Sequence, residues 1–262
     1  MADAVEIVIV ASAFGMNAVR VDGHLKWARA AKRAGAAGFE VRRELFASDA
    51  DAHPQPLRAL GAALTDLGLW SVFSTPASLY AAHGRLDTDA LRIALDQASA
   101  LGARFVKLQL GGFADDADGA AIAAQVGSGT GSGAHPRVVV ENGQLAQGGS
   151  PEQFVGLFDA LAREGHAGAL GMTFDTGNWA WVDVAPLDIA PQLAPHVEYI
   201  HCKTIAGEGA RRFASAPADD DASFRALLER LPRDVPRGIE FPFDPSRIDA
   251  DAARYVNWLA RV

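Results

Sequence analysis

The run Val138-Val139-Val140-Glu141 is three apolar residues closed by one carboxylate. Three β-branched side chains in succession, with nothing polar between them, suit a strand buried on both faces. Three further runs have the same form: Met172-Thr173-Phe174-Asp175, Val197-Glu198-Tyr199-Ile200-His201 and Gly238-Ile239-Glu240. Each ends on an acid or an imidazole. Strand-like runs at 5–11, 38–42, 70–74 and 104–110 precede them, and with 137–141, 171–175, 197–203 and 238–241 they make eight. Helical patterns lie near 22–34, 55–67, 88–101, 116–125, 150–164, 186–194, 220–231 and 247–260. Strict alternation of eight strands and eight helices over about 250 residues predicts an α/β protein, a single (β/α)8 barrel domain spanning residues 1–262.

Several helix boundaries carry their own signals. Ser150-Pro151-Glu152-Gln153 supplies an N-cap, a proline in the first turn and a capping-box partner. Phe154, Leu157, Phe158 and Leu161 follow at helical spacing, as do Leu91, Leu95, Ala98 and Leu101 in an earlier helix. Ala34-Gly35, Leu67-Gly68 and Leu101-Gly102 read as helix stops. An open doubly wound sheet would alternate in the same way, but it usually places a glycine-rich ligand loop after its first strand. Here that strand leads into Ala11-Ser12-Ala13-Phe14-Gly15, which is no dinucleotide fingerprint. The glycine-rich stretch from Gly127 to Gly133 follows a helix and precedes a strand, the wrong context for cradling phosphate, and reads as a flexible bottom-face loop.

The bulk numbers narrow the function. With 262 residues, 49% hydrophobic and 21% charged, the chain has ample core. A net charge of −8 argues against nucleic acid or an anionic membrane as partner. One cysteine, Cys202, excludes an internal disulfide and fits a reducing compartment; alternation with His201 turns it toward the helical shell as a small buried hydrophobe. The first residues lack the basic and apolar regions of a signal peptide, and no apolar run reaches bilayer length. A cytoplasmic location is the expectation.

In a parallel barrel the strand ends meet at one rim, where sites are built. Glu141, Asp175, His201 and Glu240 end four successive strands. Neighbouring strands lie about 5 Å apart, so these four side chains are expected to converge. Three carboxylates massed there would repel one another unless a cation held them. Two glutamates, one aspartate and one histidine suit a single Mn²⁺, Mg²⁺ or Co²⁺ ion better than a structural zinc. The second nitrogen of His201 then needs an acceptor to fix the ring.

On these residues the chain resembles a known family. Glu141 in VVVENGQ, Asp175 in FDTGNW, His201 in YIHCKT and Glu240 in GIEFPF are similar to the sugar phosphate isomerase/epimerase group of xylose-isomerase-like TIM barrels. The pattern is nearest to the ketose 3-epimerase and hydroxypyruvate isomerase branches. The resemblance implies that Glu141 and Glu240 both ligate the metal and act as acid/base groups on opposite faces of the substrate. They would exchange a proton beside the carbonyl of a small sugar or keto-acid through an enediolate. Many members are dimers or tetramers, which leaves a homo-oligomer open. Two departures bear on the substrate. Asn178 stands where the epimerases usually carry a histidine, and their substrate-binding arginine has no counterpart in 204–209, Arg211 and Arg212 coming later.

The pocket wall follows from period-two alternation. Glu40, Arg42 and Glu44 share one side of the second strand, with Glu40 and Arg42 as substrate contacts or a structural pair. Lys107 and Gln109 alternate on the fourth strand and are expected to line the interior, where Lys107 can also pair with Glu141. Lys203 shares the orientation of His201 and is a candidate for an oxyanion, while Asn178 can bind a hydroxyl. Phe14, Trp179, Trp181, Phe241 and Phe243 lie at strand ends, and an aromatic rim that includes Trp179 and Phe241 is expected against the sugar. His24, His53, His83, His135, His166 and His196 show no ligand spacing. Three other functions fit the scaffold. A 3-dehydroshikimate or inosose dehydratase would begin with the same proton abstraction. An endonuclease IV-like repair enzyme would need more zinc-binding histidines and a basic face. A non-catalytic sugar binder would have no use for the acid/base pair.

Overall fold

The computed structural model describes residues 5–127 and 135–262. Most of the glycine-rich stretch lies outside them. Among the described residues there are ten strands: β1 Ile7–Val10, β2 Gly38–Arg42, β3 Trp70–Tyr80, β4 Phe105–Gly111, β5 Arg137–Glu141, β6 Gly171–Asp175, β7 Val197–Cys202, β8 Thr204–Ala206, β9 Phe213–Ser215 and β10 Arg237–Ile239. Eight of them close a parallel barrel in the order β1-β2-β3-β4-β5-β6-β7-β10, as the alternation predicts. The helices are α1 Met16–Asp22, α2 His24–Arg33, α3 Pro54–Asp66, α4 Thr88–Leu101, α5 Gly119–Gly127, α6 Pro151–Arg163, α7 Pro186–Leu193, α8 Ala222–Arg230 and α9 Ile248–Leu259. None is long and apolar enough to cross a membrane.

The sequence signals at the helix ends operate as read. Ser150 accepts from the Gln153 backbone N–H at the start of α6, and Gly102 ends α4 in the left-handed region with φ 70°. Three features depart from the expectation. The helix expected over 22–34 is α2, and an unexpected short helix, α1, precedes it, separated by Gly23 (φ 79°). The third strand does not stop at Ser74 but runs to Tyr80. Its pairing with β4 slips between Ser74 and Ser78, where Thr75-Pro76-Ala77 interrupts the pattern, and resumes at Ser78↔Gln109 and Tyr80↔Gly111. An antiparallel hairpin, β8 with β9, projects after β7. Its strands are three residues each, too short to carry a readable period.

Two apolar clusters hold the fold. The larger lies between the barrel wall and the helices, with Phe154, Leu157 and Leu161 of α6 and Leu91 and Leu101 of α4 in it. The smaller fills the barrel itself: Val8, Val72, Phe105, Val139 and Tyr199. That plug occupies the lower part of the lumen. The next inward positions along three of these strands are polar, Lys107 on β4, Glu141 on β5 and His201 on β7, and Glu40 on β2 joins them. Apolar packing below thus sets the depth at which the polar groups meet.

Candidate metal centre and its cavity

Glu141 and Asp175 are the last residues of β5 and β6, His201 is the penultimate residue of β7, and Glu240 directly follows β10. One ligand atom from each lies within 4.8 Å of the others. His201 Nδ1 is 2.6 Å from Glu141 Oε1, 3.1 Å from Glu240 Oε2 and 3.8 Å from Asp175 Oδ2. Register produces this meeting, since Asp175 pairs with His201 across β6 and β7 while Gly238 pairs with His201 across β10 and β7. Gly238 also makes room for it. A Cβ there would sit 2.3 Å from Tyr199 Oη and 3.0 Å from His201 Cδ2.

Each side chain is fixed by a second contact. The Nε2 of His201 lies 2.8 Å from Glu40 Oε2, which also accepts from the Tyr199 hydroxyl at 3.0 Å. A carboxylate only accepts, so Nε2 carries the proton and Nδ1 faces the cluster. Asp175 Oδ1 accepts from the backbone N–H groups of Gly177 and Asn178, both at 2.9 Å, which leaves Oδ2 turned inward. Asn142 clamps the backbone of Asp175 from both sides, donating to its carbonyl at 3.0 Å and accepting from its N–H at 2.8 Å. Glu141 Oε2 accepts from Lys107 at 2.5 Å and Gln109 at 2.9 Å. Glu240 accepts from Arg42 at 2.5 Å and from Lys203 at 2.8 Å. Lys203 Nζ also lies 2.7 Å from Asp175 Oδ2.

Three buried atoms at the centre, His201 Nδ1, Glu141 Oε1 and Asp175 Oδ2, nevertheless lack an aligned hydrogen-bond partner. Buried polar atoms without partners are rare and costly. Three of them facing one point, in an oxygen-rich set with one nitrogen, fit a divalent cation of the manganese or magnesium kind. The electrostatics agree. Burial opposes ionisation of Glu141, but Lys107 and His201 overcome it and hold the carboxyl far below its usual range. Burial is likewise outweighed at Glu240, by Lys203, His201 and Arg42, and its pKa is well depressed. At Asp175 burial prevails and raises the pKa despite Lys203. Burial pulls His201 down, yet Glu40 and Glu240 drive it well above 6.5, so a cation held through Nδ1 would compete with a proton there.

Above the cluster opens a cavity of about 430 Å³ whose lining includes Arg42, Gln109, Glu141, Asn178, Lys203 and Glu240. Gln144 and Gln147, from the segment between β5 and α6, complete an amide-rich side. Four of the expected substrate contacts are placed elsewhere. Glu40 is fully buried beneath His201, and Lys107 is buried beneath Glu141, so neither reaches the cavity. Both lie one inward position deeper than the ligands. Trp179 is fully buried against Phe174 and Phe154, with ring centroids 5.6 and 6.1 Å away. Phe241 is fully buried and packs edge-on against Tyr255 of α9 at 4.8 Å. The reason is alternation: with Asp175 and Glu240 pointing in, Phe174 and Phe241 point out, and Trp179 folds back onto Phe174. Phe14 and Phe243 join the same outer layer at 5.3 Å, and among the described residues no aromatic ring, Trp181 included, lines the cavity.

The brace of Tyr199 on Glu40, the Asn142 clamp and the glutamine wall were not anticipated. Tyr199 could have been read from its place two residues before His201, and Asn142 from its place directly after Glu141. Gln144 and Gln147 lie on an irregular segment with no period to reveal them.

No protein-family model and no curated protein matches the sequence. Solved structures do match. The D-allulose 3-epimerase of Methylomonas sp., solved with D-allulose, is 16% identical with a TM-score of 0.67, covering 98% of this chain and 97% of that one. The 3-keto-D-glucoside 4-epimerase of E. coli is 12% identical with a TM-score of 0.61, over 97% of this chain and 99% of that one. Endonuclease IV of Thermus thermophilus is 20% identical with a TM-score of 0.63, over 99% of this chain and 100% of that one. These neighbours are xylose isomerase-like TIM barrel proteins, and at such identities the chain shares their fold.

Proposed function

We propose that this chain is a divalent-metal-dependent isomerase or epimerase. It moves a proton at the carbon beside the carbonyl of a small sugar or hydroxy-carbonyl substrate. One observation carries the reading: Glu141 and Glu240 belong to the four-residue cluster and also line the cavity. They come from β5 and β10, with β6 and β7 between them, and so approach a bound molecule from two sides. A bound dication would polarise the substrate carbonyl and offset the charge left by proton removal.

The chain's own groups supply the rest. Both glutamates are ionised at neutral pH, and each is held in place through hydrogen bonds to its oxygens. Asn178, Gln109, Gln144 and Gln147 offer amide groups to hydroxyls. Asn178 cannot shuttle a proton, which leaves proton transfer to the glutamates. Two of the structural neighbours are sugar epimerases by name. The endonuclease IV reading is disfavoured by the net charge of −8 and by a single histidine in the cluster.

The test is a proton-exchange screen in D₂O with added Mn²⁺ against ketoses, keto-acids and inososes. Deuterium is expected at one carbon of one substrate class, and the signal should vanish with chelator and in Glu240→Gln. No exchange anywhere in the panel by metal-loaded protein would remove the proposal. Exchange accompanied by new ultraviolet absorbance would identify the dehydratase instead.

A further inference from the structure

At the opposite end of the barrel, the N-terminal ends of the strands carry two arginines matched by glutamates. Arg104 pairs with Glu6 at 2.6 Å and Arg137 with Glu198 at 2.6 Å. Between α8, α9 and the start of β10 the balance differs. Arg225, Arg233, Arg237 and Arg261 line one cavity of about 350 Å³, with Glu229 the sole carboxylate side chain among its lining residues. Among the described residues none of these four arginines is in an ion pair with a carboxylate side chain. Four cations gathered around one cavity run against the average of a chain with net charge −8.

Part of the cluster has a structural task. Arg237 Nη1 donates to the Leu259 carbonyl at the end of α9 and to an oxygen of the last residue, Val262, which also lines the cavity, and Arg225 donates to the Asp219 carbonyl. That leaves groups unused. Arg237 is 3% exposed, and its Nε is buried with no hydrogen-bond partner. Burial chiefly, helped by the charge on Arg233, pulls the Arg237 guanidinium below its ordinary pKa. An anion in the cavity would offset that repulsion and accept from the guanidinium groups of Arg233 and Arg261, for which no carboxylate side chain stands as partner among the described residues.

We propose that this cavity binds a phosphoryl-bearing anion through Arg233, Arg237 and Arg261. A lone carboxylate carries one charge and two oxygens, a complement that one guanidinium fork satisfies. Several forks around one cavity match a tetrahedral dianion better. The site lies at the other end of the barrel from the acid cluster, and the proposal does not depend on the reaction performed there.

The experiment is calorimetric titration of the full chain, at constant ionic strength, with inorganic phosphate, pyrophosphate and glucose 6-phosphate. Saturable binding of at least one is expected. Arg233→Ala and Arg261→Ala, both exposed positions, should each weaken it roughly tenfold or more. Arg58→Ala, which removes the same charge from α3, should leave it unchanged. Tighter binding of the sugar phosphate than of inorganic phosphate would assign the site to a phosphomonoester, and equal binding to free phosphate. Absence of saturable binding by all three, or binding that Arg233→Ala and Arg261→Ala affect no more than Arg58→Ala does, would overturn the proposal.

Discussion

Asp175 has the least room for substitution in the cluster. One of its oxygens is spent on two backbone N–H groups and the other faces His201 and Lys203. Asp175→Asn keeps the shape and loses the charge, so Mn²⁺ binding measured by calorimetry should become undetectable while the fold persists. Glu40→Gln acts one step further back. Its carboxylate holds the His201 ring through Nε2, and partners of that kind typically matter 10–100-fold in metal affinity. The variant should therefore bind Mn²⁺ weakly but measurably; unchanged affinity would show that Glu40 does not position the histidine. The four ligand candidates were legible in the sequence because each ends an apolar run. The pair of Lys107 with Glu141 was also legible, but Glu40 and Lys107 do not reach the cavity as substrate contacts, for want of depth: alternation shows that a residue faces the lumen, but not whether the lumen is open or filled at that level.

The strands and helices set that depth, and two of their details are testable. Gly238 on β10 lets Tyr199 and His201 pass, and an added Cβ would meet the tyrosine oxygen at 2.3 Å. Gly238→Ala should cost about 1–3 kcal/mol in urea denaturation, the range for overpacking, and should weaken metal binding by shifting His201. His24 at the start of α2 is buried, and its Nε2 accepts from the Arg42 backbone N–H at the end of β2. Burial lowers its pKa from 6.5 to about 4. A folded-state pKa depressed in this way gives stability that is complete above pH 6.5 and is lost as pH falls toward 4. Between pH 7.5 and 4.5 that loss should amount to roughly 2–3 kcal/mol. His24→Gln, which keeps an acceptor but does not titrate, should flatten this part of the denaturation profile; an unchanged acid limb would contradict the assignment. The helix caps and strand order could be read in advance because glycine, proline and serine mark them locally. The extension of β3 past Pro76 and the β8–β9 hairpin could not, because their pairing is set by partners distant in sequence.

For the molecule as a whole, the metal is expected to act as a staple as well as a reagent. Four separate strands supply the ligands, so binding favours the closed barrel over the unfolded chain. At a hundredfold excess over Kd the gain is about 2.7 kcal/mol. For a domain of this size that corresponds to roughly 5–10 °C in Tm, reversible by chelator and absent in Asp175→Asn. The barrel itself was legible from alternation alone, since few architectures accept eight strand–helix units in one domain of this length. The chemistry of the cavity wall was not, because the aromatic residues expected there turn outward and glutamines from an irregular segment replace them. Diffraction at the manganese absorption edge from crystals grown with Mn²⁺ tests the central claim most directly. The account predicts one anomalous peak per chain, within coordinating distance of Glu141 Oε1, Asp175 Oδ2, His201 Nδ1 and an oxygen of Glu240. No peak at that point, with the four side chains spread beyond coordinating reach, would contradict it.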